Sequence, residues 1–449
     1  MVVWAILNFG QGFQQPLEFG RVCNHFIFAM THSLQWVNAL STRPSLEGAL
    51  DEAIAKVSGP GQGDWDLAIL FLSSSFASDA ARLMPLVQEK LSVPNLIGCL
   101  GGGIIGMADP DAVQEVEGKV ALSLTVARLP GVTVTPFYVH GEELPDLDAS
   151  PQSWVDLVGV DPASGADFLI LADPMAAGIT DFLAGLDFAY PQATKVGGLA
   201  SGENMAMGGS LFLQSPHHAS GRYGEGFIGV TLAGNIRLGS VVAQGCRPIG
   251  EPFVVNQGER NIITEIEGKD TDSGTVVLES PLASLQKLIP TLSLKDQELA
   301  QSSLFVGVAN DEFKLTLQPG DFLIRNLLGV DPRQGAIAIG DRVRKGQRLQ
   351  FHLRDRETSA DDLRILLRHY TDGEPTQSPT TAIGALMFSC LGRGYGLYGT
   401  PNFDSQVFGQ YFPGIALGGF FCNGEIGQVG SQTFLHGYTS AFAIVHRAS

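Results

Sequence analysis

Three stretches of the chain share one rhythm: a short unbroken apolar run, a helix-length segment, then a turn that opens on an apolar residue followed by glycine. The first copy has the run Asp66 to Leu72, a helical stretch from Ala77 to Leu91, the turn region Leu96 to Gly106 and a closing strand from Val120 to Ala127. The second has Asp167 to Ala172, Ile179 to Tyr190, Lys195 to Gly202 and Phe227 to Leu232. A third, looser copy has Ile383 to Cys390, a linking segment to Phe412, Ile415 to Gly427 and Ala441 to Val445. Unbroken apolar runs of this length fit strands covered on both faces, so the pattern predicts layered sheets with helices as cover. Three similar units imply duplicated lobes. The expected fold class is α/β, with two related domains built from repeated strand-helix-strand units, mixed sheets and glycine-rich turns.

Glycine at the strand ends has two readings. It permits positive φ and uncovers backbone N–H groups, so that a small anion or carboxylate can approach. It also serves turns and close packing of backbone with no ligand at all.

Outside the repeats, Ser33 to Thr42 reads as a first strand, and Ser45 caps a helix that runs to Val57 with apolar residues at helical spacing. Turn residues cluster from Gly245 to Pro252 ahead of new strands and a helix over Pro281 to Ile289, which places the division between two domains there. Alternating basic and apolar residues from Arg342 to Arg354 read as half-exposed strands. Thr358 and Ser359 precede a helix from Asp361 to His369 whose acids and bases are aligned with its dipole. The resulting division is 1–29, a leader or mis-started extension whose apolar run Val2 to Gly10 is too short to span a bilayer, has no basic residue before it and runs into Gln11 to Pro16, then domains over 30–245 and 246–449.

The 449 residues contain 44% hydrophobic and only 16% charged side chains, which describes a folded chain of two to three domains. A net charge of −18 repels nucleic acid and anionic membrane, so neither nucleic-acid binding nor membrane insertion is expected. Five scattered cysteines, Cys23, Cys99, Cys246, Cys390 and Cys422, form no C-x-x-C pair; free thiols in a cytoplasmic protein are the expectation. No histidine or cysteine cluster has metal-ligand spacing, and the glycines of 101–106 match neither a P-loop nor a dinucleotide fingerprint. No cofactor or metal is expected.

Several separated motifs resemble one family in the right order. Ala39 to Leu46, Leu96 to Cys99, Val196 to Ala200 and Gly245 to Gly250 resemble the N-terminal FIST domain (F-box and intracellular signal transduction). Phe351 to Asp355, Phe388 to Gly394 and Gly418 to Gly427 resemble the C-terminal FIST domain. The resemblance implies a stand-alone sensory protein that binds a small ligand, an amino acid or a derivative, and passes the signal to an effector protein of unknown identity.

The ligand-binding candidates concentrate in the last copy. Arg393 lies among glycines, where a guanidinium can take a carboxylate in bidentate fashion, and Glu425 at the matching turn can accept an ammonium group. Together they suit a zwitterion, or more broadly a small polar metabolite. Asn423, Ser389, Cys390, Cys99 and His436 join them on the same geometric grounds, with Ser201 and Glu203 as further candidates. Two other classes remain open. Cys390 with His436 as base and Glu425 as orienter would make a thiol enzyme. The aromatic stretch Tyr395 to Phe403, with Phe420 and Phe421, would make a protein-interaction scaffold. No catalytic residue is assigned, and the balance favours a binding protein.

Overall fold

Each of the three opening apolar runs forms a strand buried along its whole length or nearly so: Leu67–Ser73, Asp167–Ala172 and Ala382–Cys390. The protein is described by a computed structural model over residues 33–58, 64–202, 209–269, 275–317, 320–373 and 379–448. The 1–29 leader and Glu203 therefore lie outside the described residues, as does Cys23.

Every opening strand pairs in parallel with the glycine-bearing strand of its own copy: Asn95–Gly101, Lys195–Leu199 and Leu417–Cys422 respectively. Its other edge pairs antiparallel with the closing strand, Leu122–Arg128, Gly226–Gly234 or Ser440–Arg447. A fourth strand that precedes each copy borders the closing strand: Gln35–Ser41, Val132–His140 and Ile236–Ala243. The three sheets thus have one topology, and the third copy, looser in sequence, conforms fully.

The remaining two places in each six-stranded sheet are filled by a hairpin from another copy. Residues 103–117, which follow the glycine strand of the first lobe, complete the third sheet. Residues 211–223 of the second lobe complete the first sheet, and residues 425–436 of the third complete the second. The lobes therefore exchange hairpins in a ring, and no lobe has a complete sheet without another.

Two helices cover the outer face of each sheet. They are Leu46–Val57 and Leu83–Lys90 on the first, Pro151–Val158 and Ile179–Ala189 on the second, and Arg356–Asp372 and Phe403–Tyr411 on the third. Two corrections follow. The segment between Cys390 and Phe412 is not a bare linker but carries the short helix Gly394–Tyr398 and then Phe403–Tyr411. The helix expected from Asp361 begins at Arg356; Asp355 caps it by accepting from the Thr358 N–H at 2.7 Å, and Ser359 is internal. The inner faces of all three sheets share a single apolar core, to which Phe71, Ile97, Leu169, Val196, Phe388 and Phe420 contribute.

Between Ile236–Ala243 and the helix Arg356–Asp372 the third lobe carries a separate body. Its seven antiparallel strands begin with Cys246–Glu259, which pairs with Arg348–Arg354 on one side and Ile262–Lys269 on the other, so that six of them close into a small barrel. Within the expected strand region of 342–354 only Arg348–Arg354 is strand; Arg342 and Arg344 sit on the preceding loop.

Candidate functional site

The glycine-bearing strands of the three lobes end side by side. There the buried Ser201 of the second lobe ties all three together: its Oγ accepts from the Gly102 N–H of the first at 2.8 Å and donates to the Phe421 carbonyl of the third. Backbone bonds repeat the linkage, from Ser201 N–H to the Leu100 carbonyl at 3.1 Å and from Asn423 N–H to the Leu199 carbonyl at 3.1 Å. The glycines here meet protein. A Cβ on Gly98, Gly197 or Gly419 would fall on the carbonyl of the register partner in the neighbouring parallel strand, Leu70, Ile170 or Met387. Gly101 and Gly103 press against Phe420 and Phe421 in the same way. Close backbone approach accounts for these positions.

Arg393 is only 1% exposed, and all of its N–H groups are engaged. Nε and Nη2 donate to the two oxygens of Asp404 at 2.7 and 3.0 Å, Nη2 donates to the Tyr398 hydroxyl at 2.5 Å, and Nη1 reaches the carbonyls of Ala243 and Tyr438 at 3.4 Å each. Burial alone would depress this guanidinium, but the Asp404 carboxylate outweighs it and holds the charge above its usual range. The carboxylate expected from a ligand is thus supplied by the chain itself.

Glu425 is fully buried on the inner face of its strand, since alternation sends Ile426 to the outer core. One carboxyl oxygen accepts from the Thr439 N–H at 3.1 Å; the other, Oε1, has no partner among the described residues. Burial pushes the carboxyl well above the usual range, which disfavours the anion that an ammonium group would need. Cys390 faces it and accepts from the Gly392 N–H at 3.5 Å; burial, reinforced by Glu425, pushes the thiol up to about 11. Thiolate is scarce there at neutral pH, which disfavours a nucleophilic role. Cys422, the register partner of Cys390, and Cys99 are both fully buried in the shared core, where desolvation raises them far above the thiol range. Ser389 points with Met387 toward the outer core and its hydroxyl has no partner among the described residues.

Asn423 and His436 are placed differently. Both line a cleft of about 1020 Å³ between the inserted barrel and the second lobe. Asn423 is exposed, and its carboxamide has no partner among the described residues. His436, the cross-strand partner of Glu425, is 3% exposed; its Nε2 bonds the Gly427 carbonyl at 3.1 Å while Nδ1 is unpartnered. Burial lowers its imidazole to about 4, so the ring is neutral and, with Nε2 as donor, leaves Nδ1 as a buried acceptor. The opposite wall is the barrel's: Asn310, Asn326, Arg325, Arg342 and Arg344. Arg325 spans the cleft, pairing with Asp341 at 2.7 Å and donating to the Leu435 carbonyl of the hairpin at 3.1 Å.

Of the sequence candidates, then, the structure gathers Glu425, Cys390 and Cys99, with Cys422, at one end of the shared core, puts Asn423 and His436 in the cleft beside it, and locks Arg393 away. Tyr438, missed in the sequence, stands between the two regions. It lines the cleft, packs edge-to-face with Phe305 at 4.8 Å between ring centroids, carries the Arg354 guanidinium over its ring at 4.9 Å, and adopts φ of 62°. A bulky residue in the left-handed region is strained and persists where its surroundings hold it. Nothing in the sequence marked it or Arg325, and Arg342 and Arg344 stood out only as part of a half-exposed basic stretch, because the wall they build exists only once the insertion folds back.

Comparison with known proteins now bears on this geometry. An uncharacterized protein of Mycobacterium tuberculosis is 32% identical over 406 residues, 90% of this chain and 98% of the relative. An uncharacterized protein of Mycobacterium bovis is 30% identical over 378 residues, 84% of this chain and 90% of the relative. The human F-box only protein 22 is 34% identical over 79 residues, 14% of this chain and 20% of the relative. A solved cyanuric acid hydrolase from A. caulinodans covers 93% of this chain and 100% of its own at 9% identity and TM-score 0.29, too weak to carry anything over. Among the described residues no helix is long and apolar enough to cross a membrane. The FIST N domain matches residues 66–269 and the FIST C domain matches residues 281–428, and the chain therefore belongs to the FIST family of signal-transduction sensory domains, with both domains in one polypeptide.

Proposed function

We propose that this protein is a sensor that takes a small polar metabolite, an amino acid or a derivative, into the cleft between the inserted barrel and the second lobe. Asn423 and His436 would hold it, and occupancy would alter the seating of the barrel for a separate effector protein to read. The observation that carries this reading is His436: a buried, neutral imidazole on the cleft wall with one ring nitrogen bonded to backbone and the other lacking a partner among the described residues. Buried polar atoms are normally satisfied; Nδ1 is sealed just behind the cavity wall, and its missing partner supports a polar group that reaches it when the wall opens. Arg325 supplies the coupling, because its bond to the Leu435 carbonyl crosses the same space a ligand would enter.

The test is a thermal-shift screen of amino acids and their derivatives against the full chain, repeated with His436→Gln and Arg393→Ala. A ligand at a hundred times its dissociation constant adds roughly 2.7 kcal/mol and is readily seen. A shift lost in His436→Gln supports the cleft; a shift that survives in His436→Gln but vanishes in a folded Arg393→Ala would move the site to the end of the shared core.

A further inference from the structure

A buried guanidinium normally has a carboxylate beside it, and Arg354 has none. This residue ends the strand Arg348–Arg354, where the barrel meets the third lobe, and is only 7% exposed. Its Nη2 donates to the Gly392 carbonyl at 3.1 Å. Nε is enclosed and has no partner among the described residues; Nη1 makes no bond there either, yet is not sealed from solvent. The Tyr438 ring beneath the guanidinium compensates only part of a desolvated charge. Nearby carboxylates are committed elsewhere: Asp355 caps a helix, Asp362 accepts from the Gly245 N–H at 2.8 Å, and Asp404 holds Arg393. The adjacent Cys246 and Cys390 thiols, raised by burial to about 12 and about 11, add no anion, and burial disfavours one at Glu425 as well. Burial, and after it the neighbouring Arg393, work against the charge on Arg354. The surroundings therefore lack one negative charge. They also leave it a way in. Gly392 is exposed, and a Cβ there would lie 3.7 Å from Arg354 Nη1 and 3.2 Å from the Tyr438 ring, so the missing side chain leaves room over the open guanidinium nitrogen.

We infer that Arg354 is the anchor of a second binding site, distinct from the cleft, which takes the carboxylate of a small monocarboxylic acid over Gly392 and beside Tyr438. One guanidinium balances one negative charge. A phosphate dianion would bring a surplus negative charge into a desolvated setting, and the ammonium group of an amino acid would add a third cation beside Arg354 and Arg393, so the ligand is uncharged apart from its carboxylate. Tyr438, which lines the cleft and is held in the left-handed region, is common to both sites.

Thermal unfolding of the full chain at pH 7 in sodium acetate, against sodium chloride and sodium phosphate of equal ionic strength, tests the inference. Acetate raises Tm along a saturating curve, whereas phosphate does no more than chloride. Arg354→Gln removes the charge and reduces the acetate response to that of chloride. Gly392→Val keeps Arg354 but fills the space over Nη1, and weakens the acetate dissociation constant about tenfold or more, the worth of a hydrogen bond to a charged group; it decides the question alone if Arg354→Gln does not fold. Equal shifts with acetate and chloride in the parent, a phosphate shift as large as that of acetate, or an acetate response that survives in Gly392→Val overturns the inference. An acetate shift kept in Arg354→Gln but lost in His436→Gln also overturns it, and places the anion in the cleft instead.

Discussion

Ser201 shows how much one side chain carries at the meeting of the lobes. Its hydroxyl satisfies a partly buried donor of the first lobe and a buried acceptor of the third. Ser201→Ala leaves those two groups unpaired and is expected to destabilise the protein by about 1–3 kcal/mol, read as a lower urea midpoint with an unchanged slope. Glu115 gives a prediction of a different kind. One of its oxygens accepts from the Ser405 N–H at 2.8 Å, the other has no partner among the described residues, and burial together with the nearby Asp404 raises it to about 7. Between the ordinary carboxyl range near 4.5 and this value the folded state keeps a proton that the unfolded state has shed, so its contribution falls as pH rises through that window. Glu115→Gln keeps the acceptor and removes the titration. Its stability relative to the parent should therefore grow from pH 4.5 to 7, by at most roughly 3 kcal/mol, and a pH-independent difference would rule this out. His352, His436 and His446 act in the opposite sense: burial lowers each to about 4, the unfolded chain takes up protons first, and stability falls as pH drops below the ordinary histidine value.

At the scale of elements, the glycine-bearing strands are the ones that set the geometry. Gly98, Gly197 and Gly419 stand at corresponding places in three parallel pairings, and in each the neighbouring strand's carbonyl occupies the space of a side chain. Gly197→Ala must therefore spread a buried parallel pair, at a cost of about 1–3 kcal/mol or more, while Gly221→Ala, which meets nothing within 4 Å on an outlying hairpin, should be near neutral. Comparing the two variants by thermal unfolding separates loss of space from loss of backbone freedom. The recurring glycine turns were legible in the sequence. Their purpose was not, because a glycine that admits a ligand and one that admits another strand are spelled alike.

On the scale of the whole molecule, the exchange of hairpins makes the three lobes one cooperative body, while the barrel is an insertion. Cys246 and Arg354 are register partners, so the chain enters and leaves the barrel at adjacent points. Replacing residues 247–353 by a short glycine-serine turn should leave the three sheets folded, with a single cooperative urea transition, and abolish ligand binding. Residues 33–245 alone should fail: the second sheet would lose the hairpin 425–436 and expose the edge of Lys195–Leu199, giving aggregation on size exclusion. A well-behaved 33–245 fragment, or an unfolded barrel deletion, would contradict this account.

The periodicity of apolar runs determined the α/β class and the three copies, because unbroken apolar strands and glycine turns are local properties that any chain with this pattern must express. Sequence also placed Asn423 and His436 among the candidates, behind Arg393 and Glu425, and had no way to tell which of them line the cleft. Tertiary structure decided the rest. The hairpins cross to other lobes, which no local pattern records; Asp404 reaches Arg393 and neutralises its need for a ligand; burial disfavours the charged form of Glu425; and the barrel folds back to give the cleft its second wall. Each depends on residues distant in the chain and on the exclusion of water, and both arise only when the three sheets close around their common core.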